Sequence, residues 1–119
     1  VVAVDQTRFG DEGPGGNCLV ACVASIMDLS IGEMPEISTD DPYWWETLQK
    51  WLSDRRWKIR HRPRAADVPA GYAIANGPAD RGLLHSCVAL DGVIVHDPHP
   101  SRAGLIEVNS WFELTRWDC

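Results

Sequence analysis

Long apolar runs are missing from this chain. No stretch approaches the roughly 20 residues that a membrane-spanning helix requires, and Val1-Val2-Ala3-Val4-Asp5 lacks the basic start of a secretory signal. Both absences point to a cytoplasmic protein with no membrane partner. Cysteine is sparse as well: Cys18, Cys22, Cys87 and Cys119 are too few and too irregularly spaced for a disulfide scaffold, and reduced thiols fit the same compartment. No CxxC pair is present, which removes the usual corner of a structural zinc site. Basic residues are outnumbered, eleven Lys and Arg against seventeen Asp and Glu, for a formal charge of −6 that argues against nucleic acid as a partner. Internal repeats and low-complexity tracts are also lacking, so 119 residues read as one domain, 1–119, with a single core.

What is present begins with a glycine-rich loop, Gly13-Pro14-Gly15-Gly16, running through Asn17 into the apolar stretch Cys18 to Met27. Asn17 is a good N-cap, and with neither glycine nor proline for more than ten residues the spacing predicts a helix with no wet face, buried through the middle of the domain. Ser30 and Glu33 have capping-box spacing. Asp40-Asp41-Pro42 predicts a second helix, whose Trp44, Leu48, Trp51 and Leu52 form one inward face. Short strands are expected at Val1–Asp5, Gly71–Ala75 and Leu105–Val108, with Asn76-Gly77-Pro78 as a break. Helices first and strands afterwards give an α+β fold with an antiparallel sheet.

Six of the eleven basic residues fall between Arg55 and Arg64, leaving five basic against seventeen acidic groups elsewhere. There Trp57 and Ile59 alternate with Arg56, Lys58, Arg60 and Arg62. This is the pattern of a half-buried strand with a basic outer face, either a charge-protected edge or a docking strip for an acidic partner. The clearest hairpin signal is Leu83 to Leu90, Asp91-Gly92, then Val93 to Pro98. A two-residue turn would pair His85 with Pro98 and put His85 and Asp97 on opposite faces. A three-residue loop with Gly92 in the left-handed conformation, or an equivalent bulge, brings the two onto one face.

A cysteine nucleophile needs a base, a group to orient that base, and donors for the developing oxyanion. Cys18 at a helix start, His85, Asp97 and the neutral amide of Gln6 supply one candidate each. The helix dipole and His85 are expected to depress the Cys18 thiol. The ordered set Gln6, Gly16-Asn17-Cys18, His85 and Asp97-Pro98 resembles the C39-like branch of papain-like cysteine peptidases. The chain is also similar to short bacterial and phage proteins with an HDPHPSRAGL-like run, here His96 to Leu105. The resemblance implies a papain-like α+β domain with a buried helix on an antiparallel sheet. It further implies a cysteine-dependent hydrolase acting on an amide, peptide or isopeptide bond, with Cys18 as nucleophile, His85 as base, Asp97 as orienter and Gln6 as oxyanion donor. Gly16 and Asn17 would touch a peptide or protein substrate, and no cofactor or metal is called for. Deamidation and acyl transfer use the same groups. A catalytically idle binding module docking through the basic strand is the non-enzymatic alternative. A zinc site drawn from Cys18, Cys22, Cys87, His85, His96 and His99 is the other chemical one.

Overall fold

A computed structural model describes residues 1–9, 16–80 and 82–117, so Gly13-Pro14-Gly15 and Cys119 lie outside the described residues. Helix α1, Cys18–Met27, is buried from Leu19 to Ile26, as a run with no polar face must be. It ends at Asp28, whose left-handed φ of 60° lets its N–H reach back to the carbonyls of Ala24 and Ser25. A 3-10 turn, Ile31–Glu33, carries the expected Ser30–Glu33 capping box. Helix α2, Trp44–Ser53, starts later than Asp41-Pro42 suggests, because Asp41 instead forms a turn that accepts the Tyr43 and Trp44 N–H groups. Leu48 and Leu52 fill its buried face, while Trp44, Trp45 and Trp51 are only half-buried.

Five strands follow: β1 Trp57–Arg62, β2 Tyr72–Pro78, β3 Leu84–Leu90, β4 Val93–His96 and β5 Ser110–Arg116. They form one sheet in the order β1-β5-β2-β3-β4 with every neighbouring pair antiparallel. The α+β expectation is met, with two helices packed on a five-stranded antiparallel sheet among the described residues. Ile59, Ile74, Val88 and Leu114 join Val23, Leu48 and Leu52 in the main core. The other face is closed by a smaller cluster of Ala73, Ala75, Ala89 and Trp111. The basic strand is an edge, with Ile59 inward and Lys58 and Arg60 exposed.

Three local expectations fail. Val1–Asp5 is not a strand; it lies along α1, with the Val4 N–H donating to Ser25 Oγ at 2.9 Å. Strand β2 continues through Asn76-Gly77-Pro78, because Gly77 leaves room for the Glu107 carbonyl, 1.9 Å from where a Cβ would stand. Leu105–Val108 is a loop, and the final strand is instead Ser110–Arg116, inserted between β1 and β2.

The β3–β4 hairpin settles whether His85 can meet Asp97. Asp91 and Gly92 both have positive φ, 48° and 85°, so the turn is the tight two-residue form rather than the three-residue loop. Ala89 pairs with Ile94 but Val88 with His96, so Val95 is an extra residue on β4. This bulge flips the facing of everything beyond it. Continued past His96, the register sets Cys87 opposite Asp97 and makes His85 a diagonal neighbour on the same face.

Candidate active site

His85 and Asp97 are in contact: Nε2 lies 2.6 Å from Oδ1, and each side chain is 3% exposed. A carboxylate can only accept, so Nε2 carries the proton. Asp97 is held by more than the imidazole. Its Oδ1 also accepts the His99 N–H at 2.9 Å and its Oδ2 the Gly104 N–H at 2.7 Å. Burial pushes the Asp97 carboxyl up, but the His85, His99 and Gly104 hydrogen bonds together outweigh it and leave it below the ordinary value.

The loop from Asp97 to Gly104 is tied down in turn. Arg102, at φ 54°, donates to the Asp97 carbonyl at 2.6 Å and grips Asp5 through both oxygens, at 2.6 and 2.8 Å. The Arg102 guanidinium thereby holds Asp5 below the usual carboxylate range. His96 Nε2 lies 3.0 Å from the Val4 carbonyl oxygen, and the Gln6 N–H donates to the Pro98 carbonyl at 3.0 Å. The His96–Leu105 run therefore fixes Asp97 and straps the segment carrying Gln6 beside it.

Gln6, Gly16, Cys18 and His85 line one cavity of about 570 Å³. Asn17 does not. Its Oδ1 accepts the Thr7 and Arg8 N–H groups and its Nδ2 donates to Thr7 Oγ1, all at 2.9 Å, so it neither caps α1 through its side chain nor faces the cavity. An amide satisfied on both ends by Thr7 and Arg8 is a brace for the Gln6 segment. The Gln6 amide nitrogen donates to the Arg8 carbonyl at 2.8 Å, while its Oε1 is buried with no hydrogen-bond partner among the described residues.

Cys18 differs from expectation. Burial pushes its thiol up rather than leaving it depressed, although backbone N–H groups, that of Ser86 foremost, pull the other way. The Ser86 hydroxyl also approaches the sulfur, but its single proton goes to Asn76 Oδ1 at 2.7 Å. While that bond holds, the hydroxyl can only accept from a Cys18 S–H, which favours the neutral thiol. Ser86, Asn76 and His99 line the cavity too. His99 is marked in the sequence as a possible zinc ligand and by the His96–Leu105 run, and Ser86 only by its position beside His85; nothing marks the Asn76 side chain.

Of the residues proposed as zinc ligands, His85 and Cys87 come together with Asp97, their ligand atoms within 4.8 Å of one another. Ligands at about 2.0 Å around tetrahedral zinc stand roughly 3.3 Å apart. The 2.6 Å between Nε2 and Oδ1 is the spacing of a shared proton. Cys22 is fully buried on α1, with its thiol pushed far up by burial, as expected of inert packing. His96 and His99 hold loop contacts, and His61 is exposed beside Phe112. No helix among the described residues is long and apolar enough to cross a membrane. No protein-family model, curated protein or solved structure matches the chain.

Proposed function

We propose that this domain is a papain-like thiol hydrolase of the C39-like kind, cleaving an amide, peptide or isopeptide bond through an acyl-thioenzyme. The observation that carries the reading is the buried His85–Asp97 pair at 2.6 Å, whose His85 lines the same cavity as Cys18 and Gln6. With Nε2 committed to Asp97, the proton leaving Cys18 goes to His85 Nδ1. The thiolate then attacks the carbonyl carbon, and the oxyanion is held by the Cys18 N–H at the start of α1 and by the second N–H of the Gln6 amide. The imidazolium returns its proton to the departing amine, and water, deprotonated by His85, releases the acid. Because burial keeps the thiol neutral, the thiolate forms by transfer to His85 rather than standing ready. Leu84, 82% exposed on the cavity rim beside Leu83, gives an apolar lip suited to a peptide or protein chain.

A panel of peptides ending in a thiol-selective electrophile tests this, with the adduct mapped by mass spectrometry. Modification at Cys18, lost in Cys18→Ala, is expected. One observation favours an idle binding module instead, namely the raised Cys18 thiol; on that reading Lys58 and Arg60 of the edge strand would dock the partner. Labelling of Cys18 no faster by the peptide electrophiles than by iodoacetamide would select the idle module. Deamidation and acyl transfer would share the adduct and differ only in which acceptor resolves it.

A further inference from the structure

Resting on the hydrolase reading, the rest of the cavity's lining points to the substrate's chemistry. The cavity is also lined by Trp44 and Phe112, whose rings make an edge-to-face contact with centroids 6.3 Å apart, and by Asp40. The aromatic pair is half-buried and held from behind by Trp45, stacked on Phe112 at 5.3 Å. It is a fixed wall rather than a loose rim.

Asp40 is the only carboxylate among the described lining residues, and no described Lys or Arg lines the cavity with it. Its backbone N–H donates to Ser38 Oγ, but its carboxylate has no cationic partner among the described residues and stays exposed. A neutral aliphatic group seated on Trp44 would strip water from that carboxylate without replacing it, which is unfavourable. A cation on an aliphatic stem does the reverse: the stem covers the rings, the charge lies near their faces, and the head group pairs with Asp40. The chain's formal charge of −6 also draws cations at long range.

We propose that Trp44, Phe112 and Asp40 form a subsite for a lysine or arginine side chain of the substrate, making this a hydrolase selective for basic peptides. Peptidyl chloromethyl ketones carrying lysine or norleucine at either of the two residues nearest the warhead test it. Cys18 modification should favour lysine by about tenfold at low salt, the scale of one partly exposed cation–π contact plus one exposed ion pair. The ratio should shrink at about 0.5 M salt, where screening is short-ranged, and fall to about threefold, the share of the cation–π contact, in Asp40→Asn. A ratio within about twofold of one in the unmodified protein, or a lysine preference undiminished by Asp40→Asn, overturns the subsite while leaving the hydrolase reading intact. If no ketone modifies Cys18, the hydrolase reading fails. The subsite is then judged by the indole NMR signals of Cys18→Ala, which should move with Nα-acetyl-lysine methylamide and not with its norleucine analogue. Equal or absent shifts overturn it.

Discussion

Replacing Asp97 by Asn removes a charge without changing size, and the structure fixes what that costs. Three N–H donors converge on the carboxylate: His85 Nε2 and the His99 N–H on Oδ1, the Gly104 N–H on Oδ2. An asparagine can keep its carbonyl oxygen toward the first two, but its NH2 then faces the Gly104 N–H, donor against donor. One charge-assisted bond is lost, about 1.5–3 kcal/mol, and one buried donor is left unmet, about 1–3 kcal/mol, so the variant should lose about 3 kcal/mol at pH 7. With a urea slope of about 2 kcal/mol per molar, the midpoint drops by about 1.5 M. The loss should depend on pH in a defined direction. The folded carboxyl lies below its ordinary 3.8 because hydrogen bonding outweighs burial, so its contribution is full above that value and disappears as pH falls through the folded pKa. The gap between the two proteins should therefore narrow on acidification. A gap below about 0.5 kcal/mol at pH 7, or one that does not shrink in acid, refutes the reasoning.

Gly77→Ala should destabilise by about 3 kcal/mol, since the new Cβ would meet the Glu107 carbonyl at 1.9 Å while the Ile106 and Asn109 N–H groups pin that loop to Pro78 and Asn76; unchanged denaturant stability would show that the loop yields freely. Arg102→Gln should raise the Asp5 carboxyl toward the ordinary range in an NMR titration, because the Arg102 guanidinium is the main group lowering it; an unmoved midpoint would mean that the grip is not kept in solution. A chelator should change neither the melting temperature nor the rate of Cys18 alkylation, as His85 and Asp97 share a proton at 2.6 Å. A large loss of stability would return the cluster with Cys87 to the list of metal sites.

The buried helix was legible because a ten-residue stretch with no polar side other than Ser25 has only one stable place to go. The His85–Asp97 contact was legible as a requirement rather than a geometry. Facing parity demanded one residue of offset, and the bulge at Val95 supplies it on β4, in the opposite sense to the three-residue loop that composition suggested. Strand β5 was misplaced because Leu105–Val108 has the denser apolar pattern. What decides that strand is tertiary: Trp111, Phe112 and Leu114 complete the cores on both faces between β1 and β2. Asn17 was read from its type and place, yet its amide is used by Thr7 and Arg8, partners that a local pattern cannot name. The thiol's direction was missed for a related reason. Helix position is local, whereas the burial that dominates Cys18 comes from the whole fold.

Whether His85 takes the Cys18 proton is read from the rate of Cys18 alkylation by iodoacetamide between pH 5 and pH 10, with His85 present and in His85→Ala. Cys22 and Cys87 are fully buried and should not compete, and Cys119 is changed to serine in both proteins so that it cannot. Alkylation at neutral pH is expected at Cys18 alone, slowed by about 100-fold when the imidazole is removed, the lower end of what a positioned general base contributes. Equal rates in the two proteins would contradict this and leave the idle domain.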